Sequence, residues 1–155
     1  MPPRYAGSRI TPAAPDRPMA AVYLEGDFPP AATAPPMAEL KQQNLQFSPN
    51  LLVIQTGTSV AFPNLDDEQH NVVSYSRAKK LDLGRYKKED KPPVRLFENP
   101  GVVDLHCDVH EHMRAAILVV KTPYFTKTDS EGRFKLENLP SGKFILKTWL
   151  GPTKV

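Results

Sequence analysis

One short loop in the stretch Asp104–Val120, DLHCDVHEHMRAAILVV, carries most of the candidate metal-binding side chains of this chain and decides its fold. Cys107, His110 and Met113 follow a Cys-x-x-His-x-x-Met spacing, and an apolar run typical of a buried strand comes directly after them. Thiolate, imidazole and thioether form a soft, mixed ligand set, which favours copper over magnesium, calcium or manganese. The loop therefore predicts a copper site beside a buried strand.

A fourth ligand is available upstream at His70, in the segment VAFPNLDDEQHNVVSYS. Together with the loop, this segment resembles the cupredoxins, or blue copper proteins, and the loop has the spacing of the amicyanin type. The likeness covers roughly residues 40–120. It implies that His70, Cys107 and His110 are the equatorial ligands of one copper ion per chain, cycling between Cu(I) and Cu(II), with Met113 as the weak axial ligand. Such a site is the arrangement associated with blue-copper electron transfer.

Two further histidines leave the electronic class of this site open. Strand alternation turns the side chain of His106 to the face opposite Cys107, so we do not expect it to bind the metal. His112 lies beside Met113, where it could replace or supplement the thioether and make the centre more tetragonal. The resemblance also implies that Asn71 lies near the thiolate and helps to tie the two ligand loops together. Metal-bound imidazoles usually donate their other N–H to a carbonyl, a carboxylate or water. The nearby acids that could accept such a bond are expected to be mostly solvated turn residues: Asp66, Asp67, Glu68, Asp108 and Glu111.

Short strand candidates recur between turn residues along the middle of the chain: LLVIQ, SVAF, NVVSY, VRLF, VVDLH and AAILVV. This spacing favours an antiparallel sandwich over a helical or βαβ fold. We expect an all-β protein, a cupredoxin-like Greek-key β-sandwich with a small β annex built from the two chain ends. A short helix has a place only in the connection from Ser76 to Tyr86, and the apolar spacing there is too sparse to predict one.

The expected domain organisation has three parts. Residues 1–36 hold nine of the 17 prolines and form an extended N-terminal segment with one strand near residues 20–25, and residues 37–121 form the cupredoxin domain. Residues 122–155 form a β-hairpin annex that resembles a carboxypeptidase regulatory-like, transthyretin-type module. Its strand candidates are Arg133–Glu137 and Lys143–Trp149, and we expect the N-terminal strand to pair with them.

The composition limits the class of protein and its partners. Hydrophobic residues make up 40% and charged residues 24%, as in globular proteins, and no apolar run approaches the roughly 20 residues of a membrane helix. No apolar segment of a secretory signal follows Met1, yet the resemblance implies a periplasmic or otherwise extracytoplasmic location. The net charge of +3 is modest, and the basic residues do not interleave with aromatics as a platform for single-stranded nucleic acid requires, which argues against nucleic-acid binding. A basic stretch over residues 77–95 could steer an acidic partner.

Three functions compete on this evidence. The leading hypothesis is a soluble one-electron carrier, which passes electrons through an exposed edge near His110 to a redox partner such as a cytochrome, an oxidase or a dehydrogenase. The alternative is a periplasmic copper-binding protein for copper tolerance, delivery or sensing, suggested by the extra imidazoles of His106 and His112. Enzymatic use of Cys107 as a nucleophile is disfavoured because Met113 has no role in that chemistry. A structural zinc site is disfavoured because thioether is a poor zinc ligand.

Overall fold

The structure is a computed structural model that describes residues 19–151, and all regular secondary structure in that range is β-strand. The part of the N-terminal extension expected over residues 1–18, and the end of the annex at 152–155, lie outside the described residues. The strands are β1 (Ala20–Glu25), β2 (Ala38–Glu39), β3 (Lys41–Gln43), β4 (Gln46–Ser48), β5 (Leu51–Gln55), β6 (Thr58–Ala61), β7 (Val73–Ser76), β8 (Lys79–Asp82), β9 (Val94–Phe97), β10 (Gly101–His106), β11 (Arg114–Val120), β12 (Phe125–Lys127) and β13 (Ile145–Leu150). The expected all-β class is confirmed.

The larger layer of the sandwich is a five-stranded sheet in the order β5-β11-β10-β7-β8. Strand β11 runs parallel to β5 and antiparallel to β10, and it is buried on both faces. Ala115, Ile117 and Val119 point into the main core, while Ala116 and Leu118 belong to a second cluster on the other face. Burial on both faces explains why this strand reads as an uninterrupted apolar run instead of an alternating one.

The facing layer is a three-stranded sheet in the order β2-β6-β9. Its inward side chains include Val60 and Phe97, which join Val103 and Leu105 of the larger sheet in one buried core. The rings of Phe62 and Phe97 contact each other at a centroid distance of 6.4 Å. The segment between Ser76 and Tyr86, the one place considered for a helix, contains strand β8 instead.

The two chain ends meet in a third sheet, in the order β12-β1-β13. Strand β1 is central and pairs antiparallel with both neighbours. This confirms the predicted pairing with Lys143–Trp149, whereas the other partner is β12 and not Arg133–Glu137. Ala21 of β1 lies opposite Trp149 of β13, and both pack against the outer face of the five-stranded sheet. The strand predicted over Arg133–Glu137 is wrong, since that segment is irregular. The domain boundaries and the likeness to a carboxypeptidase regulatory-like module stay predictions.

Candidate metal centre

The loop between β10 and β11 folds tightly and brings its candidate ligands together. Cys107 follows the last residue of β10, and its amide donates a hydrogen bond of 3.3 Å to the carbonyl of Met113. The amide of Met113 in turn donates to the carbonyl of His110 at 3.0 Å. These two bonds close the loop, and the ligand atoms of Cys107 and His110 lie within 4.8 Å of each other.

The upstream ligand segment reaches this loop through main-chain pairing. His70 exchanges two backbone hydrogen bonds with Tyr86, of 3.2 and 2.9 Å, and the strand that follows pairs with β10 where Val73 lies opposite His106. The result is a buried group in which one ligand atom each of His70, Cys107 and His110 lies within 4.8 Å of the others. Three of the four predicted ligands are therefore brought together.

Each of the two imidazoles is hydrogen-bonded to a carboxylate. His70 Nε2 lies 2.8 Å from Asp66 Oδ2, and His110 Nε2 lies 2.9 Å from Glu68 Oε2. Because a carboxylate accepts, each ring donates from Nε2, and its other nitrogen, Nδ1, faces the partner ring at 3.1 Å. This is the arrangement in which an outer carboxylate sets the tautomer of a metal-binding histidine.

The thiol and the upstream imidazole are electrostatically coupled. Burial alone would lower the pKa of His70, but hydrogen bonds to the Asp66 carboxylate and to the Cys107 sulfur outweigh it and raise that pKa to about 9. Burial alone would raise the pKa of Cys107, but hydrogen bonds from His70 and from the amides of Asn71, Val109 and His110 hold it below its usual value. The chain therefore stabilises a thiolate, the form that binds a metal.

The donor chemistry of this group fits copper. A thiolate and two imidazoles, buried and shielded from water, are a set in which soft sulfur suits Cu(I) and imidazole suits both common oxidation states. Asp66 and Glu68 supply the outer hydrogen bonds that such ligands need, and three amides surround the sulfur. Calcium and magnesium bind oxygen ligands, whereas the three converging ligand atoms are one sulfur and two nitrogens.

Comparison with known proteins gives a fold and no closer relationship. No protein-family model matches the chain, and no curated protein matches it. Among solved structures, a mutant of amicyanin in the Cu(I) state aligns at a TM-score of 0.50 with 21% identity, covering 64% of this chain and 98% of that one. A copper-containing nitrite reductase from Thermus scotoductus SA-01 aligns at a TM-score of 0.52 with 22% identity, covering 61% of this chain. The chain has the cupredoxin fold. It spans about a quarter, 26%, of the nitrite reductase chain.

The fourth ligand predicted for this cupredoxin fold, Met113, lies fully buried in the core cluster that also contains Cys107. It ends the loop and directly precedes the first residue of β11. Ligation by Met113 stays a prediction.

The two additional histidines have other contacts. The ring of His106 lies against Tyr75 at a centroid distance of 5.5 Å, on the face opposite the core that holds Cys107. His112 Nε2 lies 2.6 Å from the carbonyl oxygen of Leu45, to which it donates a hydrogen bond. Neither ring belongs to the converging group of His70, Cys107 and His110.

The sequence offered the acids near His70 as possible acceptors for the imidazoles, but it did not distinguish which of them make these contacts. Asp66 is buried, and besides His70 it accepts hydrogen bonds from the amides of Asn44 and Leu45. Burial opposes ionisation of Asp66, but the bonds from His70 and these amides lower its pKa overall. Asn71 donates its backbone amide to the thiolate, as expected, whereas its side chain binds Asp82 and does not tie the ligand loops. The only signal in the sequence was the proximity of these acids to His70.

The expected exposed edge at His110 is not observed. The side chain of His110 is 3% exposed, and the carboxylate of Glu68 covers its outward nitrogen. Two other acids of the set pair with surface cations, Asp67 with Lys88 at 3.4 Å and Asp108 with Arg85 at 3.6 Å. These pairs neutralise part of the basic stretch beside the site.

Proposed function

We propose that this chain is a mononuclear copper protein that acts as a one-electron carrier. The observation that carries the proposal is the buried convergence of His70, Cys107 and His110 at one end of a cupredoxin fold. Met113 would be the fourth, weakly bound ligand of the proposed type 1 site. One copper ion bound there would supply a single-electron couple between Cu(I) and Cu(II).

The role of the chain itself is to hold the ligand atoms and exclude water. Asp66 and Glu68 accept hydrogen bonds from the two imidazoles, and backbone amides donate hydrogen bonds to the sulfur of Cys107. The loop and the segment of His70 are both anchored to strands of the sandwich. Ligands held in this way rearrange little when the charge at the site changes, and that is what rapid electron exchange requires.

A carrier role fits the site better than an enzymatic one. The side chain of Cys107 is 2% exposed, so a substrate has no access to its sulfur for nucleophilic attack. The partner proposed for the carrier is another redox protein, and the proposed location is extracytoplasmic. Within residues 19–151 no helix is long and apolar enough to cross a membrane.

Copper handling, the alternative function, gains no support from the additional histidines. It was suggested by His106 and His112 as a second weak site or a transfer route. His106 lies against Tyr75 on the opposite face of the sheet, and His112 is bound to the carbonyl of Leu45. A site that transfers its metal needs an accessible ligand, whereas His70, Cys107 and His110 are all buried.

Spectroscopy of the Cu(II)-loaded protein tests this proposal directly. We expect one copper per chain, intense visible absorption from thiolate-to-copper charge transfer, and a paramagnetic-resonance spectrum of the type 1 class. The control is Cys107→Ser, which should lose the absorption. Stopped-flow reduction with a small redox reagent should be fast, while copper transfer to a chelator is slow. Intense colour in Cys107→Ser, or rapid copper transfer with slow reduction, would contradict the proposal.

A further inference from the structure

The Nε2 atom of His110 is hydrogen-bonded to Glu68, a residue of the segment that carries His70. Glu68 Oε2 lies 2.9 Å from His110 Nε2, and the side chain of Glu68 is 32% exposed while that of His110 is 3% exposed. The carboxylate therefore lies between the ring and the solvent. A hydrogen bond from an imidazole to a charged carboxylate is stronger than a neutral one, so the contact can hold the ring against rotation.

Two acids of one short segment hold the two rings in different ways. Asp66 binds His70 four positions away, within its own segment, whereas Glu68 binds His110 at a separation of 42 positions. Asp67, between them, points outward to Lys88 and is 85% exposed. Asp66 therefore fixes a ring relative to its own loop, while Glu68 fastens the segment of His70 to the loop of Cys107 and His110.

We propose that Glu68 is a positioning residue, which holds the His110 ring with Nδ1 toward the site and keeps the two ligand segments together. The metal assigned to the site rests on the proposed function, but the orientation of the ring is a property of the chain. Without the Glu68 carboxylate, the N–H at His110 Nε2 would donate its hydrogen bond to water instead, and the ring could turn toward the solvent. The site would then lose its metal more readily.

The first test examines the metal-free protein by nitrogen-15 NMR of its imidazoles. With four histidines in the sequence, the His110 signals can be assigned by substitution. We expect the wild type to show a single His110 tautomer, protonated at Nε2, with a slowly exchanging proton. Glu68→Ala should give fast exchange and a mixture of tautomers. Asp67→Ala, which removes the same charge from the adjacent, exposed position, is the matched control and should resemble the wild type.

The second test measures release of copper from the loaded protein to an excess of chelator. Loss of an outer carboxylate typically costs 10- to 100-fold in metal affinity, so release from Glu68→Ala should be faster by at least about tenfold. Glu68→Gln keeps an acceptor oxygen and should retain the tautomer and much of the slow release. This conservative variant also keeps the test valid if Glu68→Ala fails to fold.

The outcomes separate this inference from the proposed function. If Glu68→Ala keeps the wild-type tautomer, proton exchange and release rate, or if Asp67→Ala changes them equally, the positioning role is wrong. If Glu68→Gln folds but shows the same tautomer mixture, proton exchange and copper release as Glu68→Ala, the proposed role of the hydrogen bond is wrong. If the wild type binds no copper, the proposed function fails, while the NMR comparison still decides the role of Glu68.

Discussion

The Nδ1 atoms of His70 and His110 lie 3.1 Å apart and share one hydrogen bond. His70 Nε2 donates to Asp66, so the hydrogen bond from His70 to the Cys107 sulfur comes from Nδ1, and this places the proton on His70 Nδ1. Against the effect of burial, these two bonds raise the pKa of His70 to about 9. Both Nδ1 atoms are also the nitrogens left facing the site once Nε2 is bound to a carboxylate. A metal ion that binds both rings must therefore displace this proton.

This relationship predicts that copper affinity depends on pH. Since the metal-free pKa of His70 is about 9, its imidazole is protonated below that pH and must lose a proton to bind. Affinity should thus rise with pH, by up to about tenfold per unit, and level off above about 9. Competition titrations against a chelator at several pH values measure the slope. Calorimetry in buffers of different ionisation enthalpy should show proton release at pH 7, and its absence would contradict the assignment.

The axial role of Met113 is tested by Met113→Leu. Because the two side chains have similar volume, the buried position should tolerate the change at a cost below about 1.5 kcal/mol. Copper should stay bound, while the visible spectrum and the reduction potential shift, since the axial ligand tunes both. The matched control is Met37→Leu at an exposed position. An unchanged spectrum, combined with a changed spectrum in His112→Ala, would instead identify His112 as the fourth ligand.

Asp66→Ala should destabilise the fold as well as the site. The turn between β3 and β4 holds Asn44 and Leu45 at φ values of 55° and 57°, a region that leucine rarely adopts. The Asp66 carboxylate accepts a hydrogen bond from the backbone amide of each of these two residues. Loss of the buried carboxylate leaves these donors and His70 without their acceptor, which should lower the free energy of unfolding by at least about 2 kcal/mol. Urea denaturation of the metal-free protein measures it, with Asp67→Ala as the control. Equal stability of the two variants would contradict this account.

The annex should unfold together with the copper-site sandwich. Trp149 is the only tryptophan of the sequence, and it packs with Ala21 against the outer face of the five-stranded sheet. Its fluorescence and the far-ultraviolet circular dichroism should therefore give coincident thermal transitions. Deletion of residues 122–155 uncovers Leu118 and its neighbours, and should lower Tm by at least about 5 °C. A separate, earlier fluorescence transition, or an unchanged Tm after deletion, would show that the annex is independent.

Local sequence was sufficient to predict a strand where its apolar, β-branched or aromatic residues form a run typical of strands. The apolar run of β11 and the β-branched and aromatic residues of β1 predicted strands that the structure contains. Strand β8 was missed because its sequence, KKLD, is mostly charged, and it forms by pairing with β7 at the edge of the sheet. Arg133–Glu137 alternates like a strand but is irregular, because alternation alone does not supply a paired neighbour.

The sequence by itself determined the candidate copper chemistry and the all-β fold, because the identity and spacing of Cys107, His110 and Met113 and the strand periodicity are local properties. Only the tertiary structure decided which carboxylates hold the imidazoles and which face the solvent. Asp66, Asp67 and Glu68 are consecutive, yet Asp66 is buried, Asp67 is paired at the surface and Glu68 reaches the opposite ligand loop. The physical reason is that these partners are joined by packing between segments distant along the chain, which no local pattern encodes.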